Sequence, residues 1–121
     1  MGSILFVMRT PLLDLVVARE SLAEILTFAA FDLPVSLLLL DGAAVLALEG
    51  GLDESLRGMM EAFPVYGVGQ VWVEADSLLG LNGNVSRLRP GVALVDRKGV
   101  SGLFLRHARR SEEHTSELQS H

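Results

Sequence analysis

At 121 residues with half of them hydrophobic and about a fifth charged, the chain is long enough for one domain with a core and too apolar for a disordered segment. Ten basic residues against fifteen acidic give a formal charge of −5, which argues against a nucleic-acid groove, because neutralising phosphates takes clustered Lys and Arg. The absence of cysteine excludes disulfides, thiolate metal sites and a cysteine nucleophile within the chain.

Ser3 to Met8 is a continuous apolar run, the pattern of a strand buried on both faces, and it ends at Arg9-Thr10-Pro11. Arg9 interrupts it and no basic region precedes it, so it reads as a first strand and not as a signal peptide. Asp14 then opens a helix to about Phe31. Leu15, Ala18, Leu22, Ile25, Leu26 and Ala29 recur at threes and fours, with Arg19, Glu20 and Glu24 on the solvated side. Pro34 stops continuation. Val35 to Leu40 is a second apolar strand, Asp41-Gly42 its turn, and Ala43 to Leu48 a short helix broken by Glu49-Gly50-Gly51. The apolar stretch from Leu33 to Leu48 is cut by Pro34, Asp41 and Gly42, whereas a membrane span takes about 20 clean apolar residues.

Asp53 can cap the next helix, in which Leu56, Met59, Met60 and Phe63 follow an i, i+3, i+4, i+7 spacing that predicts core; Pro64 is expected to end it. After a Pro/Gly loop, Gln70 to Val73 is the third strand. Glu74 to about Leu81 is a short helix stopped by Asn82-Gly83-Asn84. Arg89-Pro90-Gly91 leads into a fourth strand, Val92 to Val95. Asp96 or a neighbour starts a last helix, with Val100, Leu103, Phe104 and Ala108 on one side and Arg106, Arg109 and Arg110 near its negative end. Strands alternating with helices predict an α/β fold: a mainly parallel sheet with helices on both faces.

The final segment, Arg110 to His121, departs from this pattern. It has one large apolar residue, Leu118, and it resembles the conceptual translation of a short-read sequencing adapter along nearly its whole length. We therefore expect a domain over residues 1–109, C-terminally truncated, and a non-native tail over 110–121, with the closing strand missing or replaced. His114 and His121 are then solvated tail residues and not metal ligands. Without the tail's one arginine and three glutamates the chain stays acidic.

Site chemistry is sparse. Gly67-Val68-Gly69 precedes a strand, whereas a phosphate-cradling loop follows one and opens a helix. Asp41 follows an apolar strand like a phosphoacceptor, but Arg9 and Thr10 stand where such a site holds metal-binding acids, so Asp41 reads as a turn residue. No serine sits in a nucleophile elbow. His107, among arginines at a helix end, reads as a surface residue. Tyr66 and Trp72 suit either a core or an interface anchor. Composition and spacing stop at an α/β subunit without catalytic apparatus of its own.

Four ordered pieces go further: Ile4 to Met8; Ala18 to Leu22 with Ala29 to Phe31 downstream; Val35 to Gly42; and above all Glu61 to Leu81. Together, over residues 3–97, they resemble the DsrE/DsrF-like sulfur-relay family, in its TusC/DsrF branch. The resemblance implies a three-layer α/β/α fold and a heterohexamer of two copies each of three homologous subunits. In the TusBCD form, with sister subunits of the TusB and TusD type, the complex receives persulfide sulfur from an upstream carrier and passes it to a TusE-type carrier for the 2-thio group of a tRNA wobble uridine. In the DsrEFH form, DsrE- and DsrH-type partners serve sulfur oxidation with a DsrC-type carrier. The persulfide cysteine of the sulfur-accepting sister lies just after the third strand, and the matching place here is Glu74-Ala75. The resemblance thus implies a non-catalytic subunit; with the acidic balance and neither a signal-peptide pattern nor a clean membrane span, we expect a cytoplasmic protein with no cofactor, no metal and no direct nucleic-acid or membrane partner. Tyr66, Trp72 and Glu74 are its candidate partner contacts. A stand-alone small-ligand-binding α/β domain is the rival reading; it predicts a polar pocket around Arg9, Thr10, Asp41 and Glu74.

Overall fold

The computed structural model describes residues 4–10, 14–50, 54–81, 85–107 and 109–113. Five strands, β1 (Ile4–Thr10), β2 (Val35–Asp41), β3 (Val71–Glu74), β4 (Val92–Val95) and β5 (Arg109–Glu113), form one sheet in the order β4-β3-β2-β1-β5. Every pairing is parallel. The helices are α1 (Leu15–Ala30), α2 (Glu54–Tyr66), α3 (Ala75–Gly80) and α4 (Arg97–Arg106), with 3₁₀ turns at Gly42–Ala47 and Val85–Arg87.

The topology explains the layers. From β1 to β4 each strand is laid beside the last in one direction, so right-handed crossovers place α1, α2 and α3 on the same face. The step from β4 to β5 returns across the sheet, which puts α4 on the opposite face. The side chains follow the period of two. Phe6, Met8, Leu37, Leu39, Val71 and Val73 join a cluster with Leu22, Ile25, Leu46, Leu56, Phe63 and Leu78. Leu5, Val7, Leu38 and Leu40 turn the other way onto Val100 and Leu103, with Trp72 and Phe104 packed alongside. Each large aliphatic side chain so buried contributes about 1.5–3 kcal/mol relative to exposure. The unbroken apolar runs of β1 and β2 are thus the signature of central strands covered on both faces.

Local chemistry sets the boundaries. Asp14 caps α1, its Oδ1 accepting from the backbone N–H of Val16 at 2.9 Å and Val17 at 3.1 Å. Asp96 does the same for α4, accepting from Gly99 at 2.7 Å. Of the predicted α1 stripe, Ala18, Leu22, Ile25 and Ala29 are buried and Leu26 partly so; Leu15, in the first turn, is exposed. Met60 is buried and Met59 packs on the same core, as the spacing of α2 predicts.

Pro64 does not end α2, contrary to expectation; the helix runs on to Tyr66. Proline already holds a helical φ, and so near the end it forfeits a single hydrogen bond. The actual stop is Gly67 at φ 86. Its N–H donates to Pro64 O at 3.3 Å and that of Val68 to Phe63 O at 3.0 Å, a Schellman closure that needs the left-handed residue. Gly69 has a different reason to be glycine: a Cβ there would meet Val35 O at 3.2 Å and Ser36 Oγ at 3.3 Å.

β5 crosses the boundary expected at residue 109 and fills the position of the closing strand, pairing from Ile4↔Arg109 to Met8↔Glu113. The proposed cap Asp53, the stop Asn82-Gly83-Asn84, Ala108, His114 and His121 lie outside the described residues.

Candidate functional site

The carboxyl ends of the strands are where an open α/β sheet places its ligands. In backbone register, Thr10 at the end of β1 lies opposite Asp41 at the end of β2. Asp41 has φ 54 and ψ −134, a conformation that suits glycine and strains a residue with a Cβ. Its N–H donates to Ser77 Oγ at 2.8 Å, and the Ser77 hydroxyl donates to Glu74 Oε1 at 2.7 Å. Glu74 is the last residue of β3 and the residue before α3, and Ser77 is buried in the first turn of that helix. The polar chain Asp41–Ser77–Glu74 therefore ties together the exits of β2 and β3. A carboxylate is far too weak a base to deprotonate serine unaided, so the chain orders the rim and does not activate a nucleophile. Among the described residues no group of three or more His, Asp or Glu is arranged to hold a metal ion.

The three candidate contact residues are not all brought together: Trp72 and Glu74 lie two residues apart on β3, and Tyr66 lies elsewhere. Glu74 stands on this rim, half-buried. Trp72 lies one strand position pair away on the α4 face, half-buried. Tyr66 is at the opposite, amino rim, 48% exposed at the end of α2. The expectation for His107 was wrong: it is buried, its Nδ1 lies 2.7 Å from Leu103 O, and its ring meets Trp72 edge-on with centroids 6.2 Å apart. Burial under the sheet, opposite Trp72, outweighs the arginines flanking it in sequence.

The amino rim carries what the sequence did not announce. The 3₁₀ turn after β2 and the segment before β4 clasp one another antiparallel, through a bridge between Leu48 and Leu88. Glu49 N–H donates to Arg87 O at 2.7 Å, and Arg89 N–H to Ala47 O at 2.8 Å. This draws the Arg89 side chain inside, where it is 8% exposed and its Nε donates to Leu46 O at 3.0 Å. Its Nη2 is buried with no hydrogen-bond partner among the described residues, at a cost of about 1–3 kcal/mol. Burial pushes the guanidinium pKa down, while Glu61 and Glu49 push it up and Arg57 adds to the lowering. Arg89 forms part of the wall of a cavity of about 450 Å³ beneath the C-terminal half of α2, at the starts of β3 and β4. Met60, Phe63, Val68, Val71 and Val92 supply apolar walls, and Glu49 and Glu61 supply charge. The rival reading placed a pocket around Arg9, Thr10, Asp41 and Glu74; this cavity lies at the other end of the strands. No periodic signal could have found it, since Arg89 is recruited by a carbonyl 43 residues away.

No protein-family model matches the chain. A curated relative, the Protein TusC homolog of Pseudomonas aeruginosa, is 33% identical over 95 residues, covering 74% of this chain and 80% of the relative. Among solved structures, the YchN protein of E. coli superposes with a TM-score of 0.70 at 18% identity, covering 93% of this chain and 100% of YchN. The protein MTH1491 of Methanobacterium thermoautotrophicum, titled as of unknown function, gives 0.71 at 14% identity, covering 94% and 99%. These two likenesses bear on the fold alone. No described helix is long and apolar enough to cross a membrane.

Proposed function

The chain belongs to the TusC branch of the DsrE/DsrF-like sulfur-relay family, and we propose that it serves as a non-catalytic subunit of a TusBCD-type complex. In that role it sits in the cytoplasm beside homologous subunits of the TusB and TusD type. The complex hands sulfur to a TusE-type carrier for 2-thiolation of a tRNA wobble uridine.

The observation that carries this reading is Glu74. It occupies the exit of β3, the place that the family resemblance gives to the sister subunit's persulfide cysteine. A carboxylate has no sulfur to accept another, and its Oε1 is already engaged by the Ser77 hydroxyl. With no cysteine anywhere in the chain, any sulfur passing through such a complex must be held by a partner. The chain then contributes shape and contacts. Tyr66, Trp72 and Glu74 remain the proposed contacts, Trp72 and Glu74 two residues apart on β3 and Tyr66 at the end of α2. Residues 110–121 are taken in this proposal as non-native.

Two measurements test it. Re-reading the gene through Arg109 checks the tail: a frame that continues into a different sequence supports the assignment, and one that reproduces Ser-Glu-Glu-His overturns it. Co-expression of the chain, with its C-terminus so established, beside the TusB- and TusD-type proteins of the same genome is expected to give one co-purifying assembly. A chain that elutes alone under those conditions sinks the subunit role.

A further inference from the structure

The two faces of the sheet carry helices of opposite charge. From its cap to the turn that follows it, α1 holds the acids Asp14, Glu20, Glu24 and Asp32 against one base, Arg19. On the other face α4 holds Arg97, Lys98 and Arg106 and no acid, in a chain that is acidic as a whole. Each helix also presents a large apolar side chain to solvent. Phe31, directly after α1, is 74% exposed, and Leu105, in the last turn of α4, is 88% exposed.

The spacings match. Glu24 and Phe31 are seven residues apart, and so are Lys98 and Leu105. Seven residues are two helical turns, a rise of about 10.5 Å, so on each helix the charge and the apolar group share one face. All four residues are exposed. Neither Glu24 nor Lys98 forms an ion pair among the described residues. The surface between each pair is low. On α4 it holds Ser101 and Gly102, and a Cβ at Gly102 would meet nothing within 4 Å. On α1 it holds Thr27, whose hydroxyl donates to Ala23 O at 2.8 Å, so covering it strands no donor.

We propose that α4 of one molecule docks on α1 of a second copy of this chain, with the two helices parallel, Lys98 against Glu24 and Leu105 against Phe31. In the fold both helices run against the direction of the parallel strands. A second copy stacked front to back, with its sheet pointing the same way, therefore presents them in this register. Charge selects the occupant. An acidic partner suits α4 but is repelled by α1, and a basic one does the reverse, whereas a second copy brings to each face the charge that the face lacks. The contact is heterologous, so each dimer leaves one α1 and one α4 uncovered for further copies.

The test is sedimentation of the full chain alone over a range of concentrations. The expected result is a mass above that of the monomer, rising with concentration and falling as salt screens the charges. Lys98→Glu and Glu24→Lys are each expected to weaken association several-fold, and an equimolar mixture of the two variants is expected to restore it. Leu105→Asp is expected to leave a monomer. All three positions are exposed, so these substitutions spare the fold. A wild-type chain that stays monomeric at every concentration overturns the proposal, including one that associates only with TusB- and TusD-type subunits. So does association that Lys98→Glu leaves unchanged, or a mixture of the two variants that stays as weak as either. The relay role is read separately, by co-purification with the sister subunits, and stands or falls independently of this contact.

Discussion

The two rims of one sheet are built on different principles. At the carboxyl rim, polar groups engage one another: the Asp41 N–H donates to the Ser77 hydroxyl, which in turn donates to the Glu74 carboxylate. At the amino rim, apolar walls enclose a space and a buried arginine is left partly unsatisfied. The expected location of a site and the cavity therefore lie at opposite ends of the same strands. A rim tied by a polar chain between strand ends suits a framework, whereas the amino rim leaves open space between packed apolar walls.

The comparison can be broken by substitution. The largest effect is expected at the amino rim. Phe63 is 3% exposed and belongs both to the core and to the cavity wall. Phe63→Ala should cost about 3–5 kcal/mol in chemical denaturation, because the new space adjoins a cavity already there and cannot collapse. A loss below about 1 kcal/mol would show that this rim is not held by packing. At the carboxyl rim, Ser77→Ala removes one hydroxyl but strands two groups, the Asp41 N–H and a Glu74 oxygen. We expect a loss of about 1–2 kcal/mol by the same measurement, and no loss would mean that water replaces the hydroxyl and the chain does not order the rim. The smallest change should be a gain. Asp41→Gly relieves the positive φ and retains the backbone donor to Ser77, so strain of about 1–3 kcal/mol is exchanged for the lower entropic cost of a glycine. A thermal midpoint that rises by a few degrees is expected; one that falls would assign the Asp41 side chain a role of its own.

Much of the fold was legible because it depends on local pattern. The uniform runs of β1 and β2 announced central strands, and Leu56, Met60 and Phe63 announced the buried face of α2. The fate of Pro64 was not legible, since the stop depended on Gly67 adopting a left-handed φ three residues on. The site was legible only as far as Glu74, whose position after an apolar strand is a sequence fact. Its link to Asp41 spans 36 residues through Ser77, a residue with no pattern of its own. His107 was misread for a related reason: its neighbours in sequence are charged, but its neighbour in space is Trp72.

The pairing of β5 with β1 also bears on how the chain comes together. Ile4 must wait for Arg109, the widest separation of any strand pair in the sheet, while β1 with β2, β2 with β3 and β3 with β4 each join neighbouring segments. Loop-closure entropy grows with the length of chain enclosed, so this last pairing forms late and opens early. In native-state hydrogen exchange, the amides that bond β5 to β1 should therefore exchange well ahead of those between β1 and β2, and a zipper starting at β1–β2 and closing at β5 describes the order of assembly.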